Sequence, residues 1–379
     1  MDALIDKQSF VGLTGCTWLY SGAETPPLNG SIAEMEQYMI NRGKGPYGRE
    51  LNGEIELECK RNVAELLNGQ PEQIAFLSNS SEAISMIAQA MKLAPGDNVV
   101  INTLEFPSGV LPWLKWKEKG VEVRVVDHVD WQVPLDAIMG QVDERTKLVI
   151  TSHVSYLTGT RIDYRSLYAR LKQTDTLLLL DATQSLGAIP VDVNETDFVV
   201  SSSYKWLLSV HGLAIVAVNP RRTGHVLPVA VGWRSVKDMF HPNRFETFEY
   251  YEDARKFEGG YPSYPTIYAL RYSTRLLLDI GIDRIEQHIL ALGGELIDRI
   301  REKGYTVMTP DLPERRAGNI CAISDNGHLI ADHMCSRQVY VWGGDGRLRA
   351  SVHLFNDSRD LDVFMELLPD ARKAYTGRT

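Results

Sequence analysis

LLLLDATQSLGAIPVDVNETDFVVSSSYKW, residues 177–206, contains two short apolar runs that end in very different polar groups. Leu177–Leu180 runs into Asp181, with Gln184 three residues on; Phe198–Val200 runs into Ser201, Ser202, Ser203, Tyr204 and Lys205. Continuous apolar runs of this length are the pattern of strands covered on both faces, as in a parallel sheet. A carboxylate at the end of four leucines is costly unless it meets a cation or a strong donor. A lysine beyond a buried strand is, taken alone, usually a surface group that snorkels to water.

The same rhythm extends outward. IAFL (74–77), NVVIN (98–102), VEVRVV (121–126), KLVITS (147–152) and LAIVAV (213–218) resemble further buried strands. Helical patterns lie between them: 48–68, 80–93 opening on a serine cap and stopping at Pro95-Gly96, and 165–173. The order predicts a doubly wound α/β unit with a mostly parallel seven-stranded sheet. Residues 232–264, rich in aromatics, prolines and glycines, read as a long functional loop region. Helices are expected at 265–280, 282–303, 328–337 and 358–369, and short strands at 305–309, 318–323, 338–342 and 347–353. The expected division is a large unit over 17–260 and a smaller α+β unit over 261–379, with residues 1–16 packing on the latter.

The 379-residue length favours two such units, and 44% hydrophobic with 23% charged residues is ordinary globular composition. A net charge of −9 disfavours binding to a phosphate backbone, so no nucleic-acid partner is expected. No apolar run reaches the roughly 20 residues of a membrane helix, and MDALIDKQSF lacks the basic and apolar regions of a signal peptide. Four scattered cysteines without a CxxC (Cys16, Cys59, Cys321, Cys335) suit a reducing cytoplasm and argue against a disulfide or zinc framework, so no metal is expected.

In open α/β sheets ligands sit at the carboxyl ends of the strands. The polar groups there form a set. Ser80 and Ser81 open a helix, where free N–H groups and the helix dipole suit a phosphate. Phe106 follows 98–102; Asp181 and Gln184 follow 177–180; Ser202 and Lys205 follow 197–200. One cofactor uses all of them: pyridoxal 5′-phosphate. Its phosphate takes Ser80, Ser81 and Ser202, its ring stacks on Phe106, its protonated nitrogen meets Asp181, and its aldehyde is held by Lys205.

These motifs resemble the class V aminotransferase family, which contains cysteine desulfurases, selenocysteine lyases, kynureninases and isopenicillin N epimerases. The likeness runs from about residue 17 to about 368. It implies the fold-type-I architecture, a cytoplasmic homodimer with active sites at the subunit interface, and a small amino-acid substrate. By resemblance Asp181 contacts the pyridine nitrogen, Gln184 the ring hydroxyl, Ser202 and Tyr204 the phosphate, and Lys205 is the covalent anchor and base. GRLRASVHLFND (346–357) resembles the family's arginine-containing strand, so Arg349 holds the substrate carboxylate, with Arg347 the competing candidate on the same face. FEGGYPSYPTIYAL (257–270) resembles the segment that reaches the neighbouring subunit's phosphate, with Tyr261 in place of a frequent threonine.

Two departures bear on activity. Tyr156 stands where desulfurases usually carry asparagine. VYVWGGDGRLR (339–349) is short and has no cysteine where persulfide-storing desulfurases carry one; Cys335 lies earlier, on an expected helix, as a small buried apolar residue. The resulting expectation is a C–S or C–Se lyase of the desulfurase/selenocysteine-lyase type without a loop persulfide cysteine. The alternatives are a class V aminotransferase and an isopenicillin-N-epimerase-like epimerase.

Overall fold

A computed structural model describes residues 1–371. Its centre is a seven-stranded sheet in the spatial order Ile74–Leu77, Ala214–Val218, Phe198–Ser202, Leu177–Asp181, Thr146–Ser152, Asn98–Asn102, Glu122–Val126. Six strands run the same way; Ala214–Val218 is antiparallel to both its neighbours. The runs that read as doubly covered are so: Leu177–Asp181, Phe198–Ser202 and Ala214–Val218 are buried at every position. One face packs through Ile87, Trp113 and Phe257, the other through Leu66, Trp206 and Ile267. The mostly parallel α/β sheet expected from the apolar runs is therefore present.

A second, three-stranded antiparallel sheet orders Trp342–Gly344, Arg347–Ser351 and Asn319–Ile323. Helices Tyr264–Ile280 and Ile282–Glu302 lead into it, Gly327–Cys335 packs on it, and Ser358–Leu367 packs on Ile282–Glu302 and Thr17–Trp18. The N-terminal residues join this region. Leu4 N–H donates to the Leu354 carbonyl, Lys7 pairs with Asp360, and Phe10 packs edge-on against Phe355.

Local details differ from the sequence reading. The helix at 80 is capped by Asn79, whose side chain accepts from Glu82 N–H, so Ser80 is the first helical residue rather than the cap. Asn79 can do this because its own backbone is extended, with φ −162°. No strand forms at 305–309: Cys321 N–H goes to Thr309 Oγ1 instead of a carbonyl, which interrupts a ladder and leaves an isolated bridge at Val307–Ala322. The expected strand 338–342 divides. Val339–Tyr340 pairs in parallel with Thr17–Trp18, while Trp342–Gly344 turns to pair with Arg347–Ser351. Residues 232–264 hold a short turn of 3-10 helix at Ala254–Phe257 and an isolated bridge between Val236 and Tyr250, and the next helix begins at Tyr264, so the segment is a loop region as expected. Among the described residues no helix is long and apolar enough to cross a membrane.

Candidate active site

The carboxyl ends of the parallel strands surround a cavity of about 160 Å³. Ser80, Ser81, Phe106, Asp181, Gln184, Ser202, Tyr204 and Lys205 all line it, joined by Tyr156 and Thr183. Neighbouring parallel strands end in step, which is why residues more than a hundred apart in sequence share one wall.

Asp181 is 6% exposed, and its Oδ1 accepts from Thr183 N–H at 2.9 Å. Burial pushes its carboxyl above the usual range, opposed by the Thr183 donor and by Lys205. Lys205 is half-buried, its Nζ 5.8 Å from the centre of the Phe106 ring and 5.7 Å from that of Tyr204. Burial, and next the Arg349 charge, bring its pKa down to about 8, against the pull of Asp181.

The hydroxyls cluster at the other end. Ser80 Oγ and Ser202 Oγ lie 2.8 Å apart, and Ser81 Oγ lies 2.7 Å from Ser108 Oγ. Ser80 and Ser81 begin the helix Ser80–Ala90, whose start carries the positive end of the helix dipole. Tyr204 stacks on His211, ring centres 3.9 Å apart. Phe106, 42% exposed, stands at the mouth, with Tyr156 edge-on to it at 5.0 Å.

Gln184 is more constrained than the sequence suggests. Its Oε1 accepts from Trp206 Nε1 and from Asn319 Nδ2, both at 2.9 Å, and its Nε2 donates to the Gly22 carbonyl at 2.8 Å. One amide hydrogen is left for any ligand.

Arg349 comes to this place from the three-stranded sheet. It is 3% exposed; Nη1 donates to the Tyr156 carbonyl at 3.0 Å, while Nε has no partner. Burial brings its pKa down to about 10. Gly22 makes room for it: a Cβ there would lie 3.0 Å from the guanidinium carbon and 2.4 Å from Asn319 Oδ1.

Other singled-out residues lie elsewhere. Tyr261 is half exposed against Trp233, beside a separate depression lined by Arg234 and Lys60. Cys335 corrects its expected reading: it is exposed, because it ends its helix on the outward side. Two residues were missed. Thr183 holds Asp181 and accepts from Ser202 N–H through its hydroxyl. Glu105, buried behind Phe106, accepts from Asn102 Nδ2 at 2.6 Å and from both Ser152 N–H and Oγ at 2.7 Å. Its signal was an acid at the carboxyl end of a buried strand, the same signal that picked out Asp181.

A mostly parallel sheet with an amine, a buried acid, a hydroxyl cluster and an aromatic platform at its carboxyl edge defines a fold-type-I pyridoxal phosphate enzyme. The class-V aminotransferase family model matches residues 18–364. A probable cysteine desulfurase of Methanothermobacter thermautotrophicus is 28% identical over 367 residues, covering 91% of each chain. The apo structure of a cysteine desulfurase from Thermococcus onnurineus NA1 superposes with TM-score 0.87 at 20% identity, covering 97% of this chain and 98% of that one. A cystine C–S lyase in complex with cysteine persulfide gives 0.85 at 19% identity, covering 94% and 98%. The chain belongs to the class-V aminotransferase family and is a pyridoxal-phosphate-dependent enzyme.

The residues present fit that cofactor. Three serine hydroxyls and a helix start suit a phosphate, a buried carboxylate that makes no ion pair among the described residues suits a ring cation, and an amine of lowered pKa suits an aldehyde. The unpartnered Nε of Arg349 suits a further anion.

Proposed function

We propose that this enzyme cleaves a carbon–sulfur or carbon–selenium bond of a small α-amino acid, in the manner of a desulfurase or selenocysteine lyase but without a persulfide cysteine on 339–349. The observation that carries the reading is Lys205: a half-buried amine with a pKa of about 8, sharing one cavity with Asp181 and sensing Arg349. C–S chemistry is further supported by the relatives described as probable cysteine desulfurases and the neighbour described as a cystine C–S lyase.

Pyridoxal phosphate, when bound, supplies a ring that takes up the electron pair released at the substrate Cα. Asp181 keeps a proton on the ring nitrogen, because a buried carboxylate gains most from a cation it touches. Ser80, Ser81, Ser202 and Tyr204 would hold the phosphate, Phe106 would pack against the ring, and Gln184 would offer its remaining amide hydrogen to the ring hydroxyl. Arg349, from the three-stranded sheet, would grip the α-carboxylate and so orient the substrate Cα for reaction. Lys205 Nζ then takes the Cα proton; a pKa near the working pH keeps a useful fraction of it neutral.

The active form is a homodimer. Met39, Ile40, Tyr47, Phe240 and Phe245, which expose 57–86% of their surface, are the candidates for its interface. Four free thiols suit a cytoplasmic setting.

The deciding experiment incubates the holoenzyme with L-cysteine, L-selenocysteine, L-cystine and L-alanine. Sulfide or selenide release with pyruvate and ammonia is expected, or alanine with sulfur or selenium at the zero-valent level, which an added thiol reduces to sulfide or selenide. Racemised alanine, or amino transfer to a keto acid, with no sulfide released overturns the reading.

A further inference from the structure

Arg349 does not stand alone. Arg347, two residues earlier on the same face of the strand Arg347–Ser351, is 1% exposed. Its guanidinium carbon lies 4.2 Å from the centre of the Trp342 ring and 5.1 Å from that of Tyr156. The Arg349 guanidinium lies over the same indole at 5.5 Å. Tyr156 in turn lines the cavity of Lys205 and meets Phe106 edge-on, so the second arginine is one ring away from the reaction cavity.

The charges around the pair are unbalanced. Among the described residues, the one carboxylate within ion-pair distance of Arg347 is Asp345, 3.4 Å away and 69% exposed; Arg349 has none. The Nε–H groups of both arginines are buried without a partner. Two adjacent buried guanidiniums repel, and each unmet N–H carries a desolvation cost that no partner offsets. Aromatic faces offset part of that cost and leave the hydrogen-bonding edges free. A single α-carboxylate answers one of the two cations. A surface aspartate at the long end of hydrogen-bond range is a weak, displaceable answer to the other.

We propose that Arg347 is a specificity-determining residue that binds a second anionic group, at the far end of the substrate side chain. The preferred substrates are then α-amino acids whose Cβ–S group carries the acid, a sulfinate or a cysteine conjugate with an acidic leaving group, and L-aspartate serves as an anion-bearing binding probe without that bond. This rests on Arg349 as the α-carboxylate anchor. Tyr156 and Trp342 form the wall between the two anion positions, and Asp345 yields to the ligand when it arrives.

The test is spectroscopic binding to the holoenzyme, read from the shift of the cofactor band, with L-aspartate, L-cysteine sulfinate and L-cystine against L-alanine and L-cysteine. Wild type should bind the three anion-bearing probes at least about tenfold tighter than the neutral pair. Arg347→Gln should remove that preference while leaving L-alanine within about twofold. Equal affinity of wild type for both sets overturns the proposal, and this arm needs no variant to fold. Equal weakening of both sets by Arg347→Gln, in a protein that keeps its cofactor, also overturns it. Arg349→Gln should weaken every probe. If it weakens none, the anchor assignment fails, and that result is separate from the preference measured in wild type.

Discussion

The hydroxyls of Ser80 and Ser202 meet at 2.8 Å, one from the first residue of a helix and the other from the last residue of a strand 122 positions later. Two hydroxyls facing each other at a helix start form a donor pair that an anion can enter between.

Replacing either hydroxyl should therefore loosen the cofactor. Ser202→Ala or Ser80→Ala removes one charge-assisted hydrogen bond, worth about 1.5–3 kcal/mol, and should weaken pyridoxal phosphate binding by roughly 10- to 100-fold. Titration of the apoprotein followed by absorbance measures it. Unchanged affinity in both variants would remove the phosphate from this end of the cavity.

Lys205 should titrate far below an ordinary lysine. Its pKa falls from 10.5 to about 8 because burial and Arg349 disfavour the ammonium. The rate at which apoprotein captures pyridoxal phosphate should rise with pH and level off above about 8. A midpoint near 10 contradicts the assignment. Lys205→Ala should abolish turnover and the borohydride-fixed adduct while leaving the circular dichroism of the fold intact.

Glu105 should make stability fall as pH rises through neutrality. Burial lifts its carboxyl to about 7, against the hydrogen bonds from Ser152 and Asn102. Between the unfolded value of 4.5 and about 7 the folded chain holds a proton that the unfolded chain releases, so stability present at pH 4.5 is lost on the way to pH 7. In Glu105→Gln that slope should flatten, shifting the difference in Tm between pH 5 and pH 7.5 by about 2–4 °C relative to wild type. Parallel Tm–pH curves for the two proteins would show that Glu105 is ionised throughout.

Gln184 should matter to stability as much as to chemistry. Gln184→Ala strips the acceptor from two buried donors, Trp206 Nε1 and Asn319 Nδ2. Each orphaned donor costs about 1–3 kcal/mol, which urea denaturation of the variant should report. A loss below about 1 kcal/mol would mean that water or a rearranged side chain replaces the amide.

Much of this was legible from residue order. Asp181 and Lys205 could be placed because each ends an uninterrupted apolar run, and parallel strands bring such ends to one edge. Glu105 carries the same signal, yet its role depends on Ser152, 47 residues away, whose backbone and hydroxyl both reach it. The strand expected at 305–309 failed because a threonine side chain, invisible to apolar periodicity, took the donor a ladder needs.

The sequence by itself determined most of the strands, the mostly parallel character of the central sheet and the chemical identity of the groups at the strand ends, because periodicity and residue type are local properties. Tertiary structure alone decided that Gln184 is largely committed to Trp206 and Asn319 and that Cys335 faces water. It also decided that Arg347 and Arg349 both lie over the Trp342 indole. The reason is physical: burial, unmet donors and the balance of neighbouring charges are set by groups that meet across long stretches of chain, and no local pattern records them.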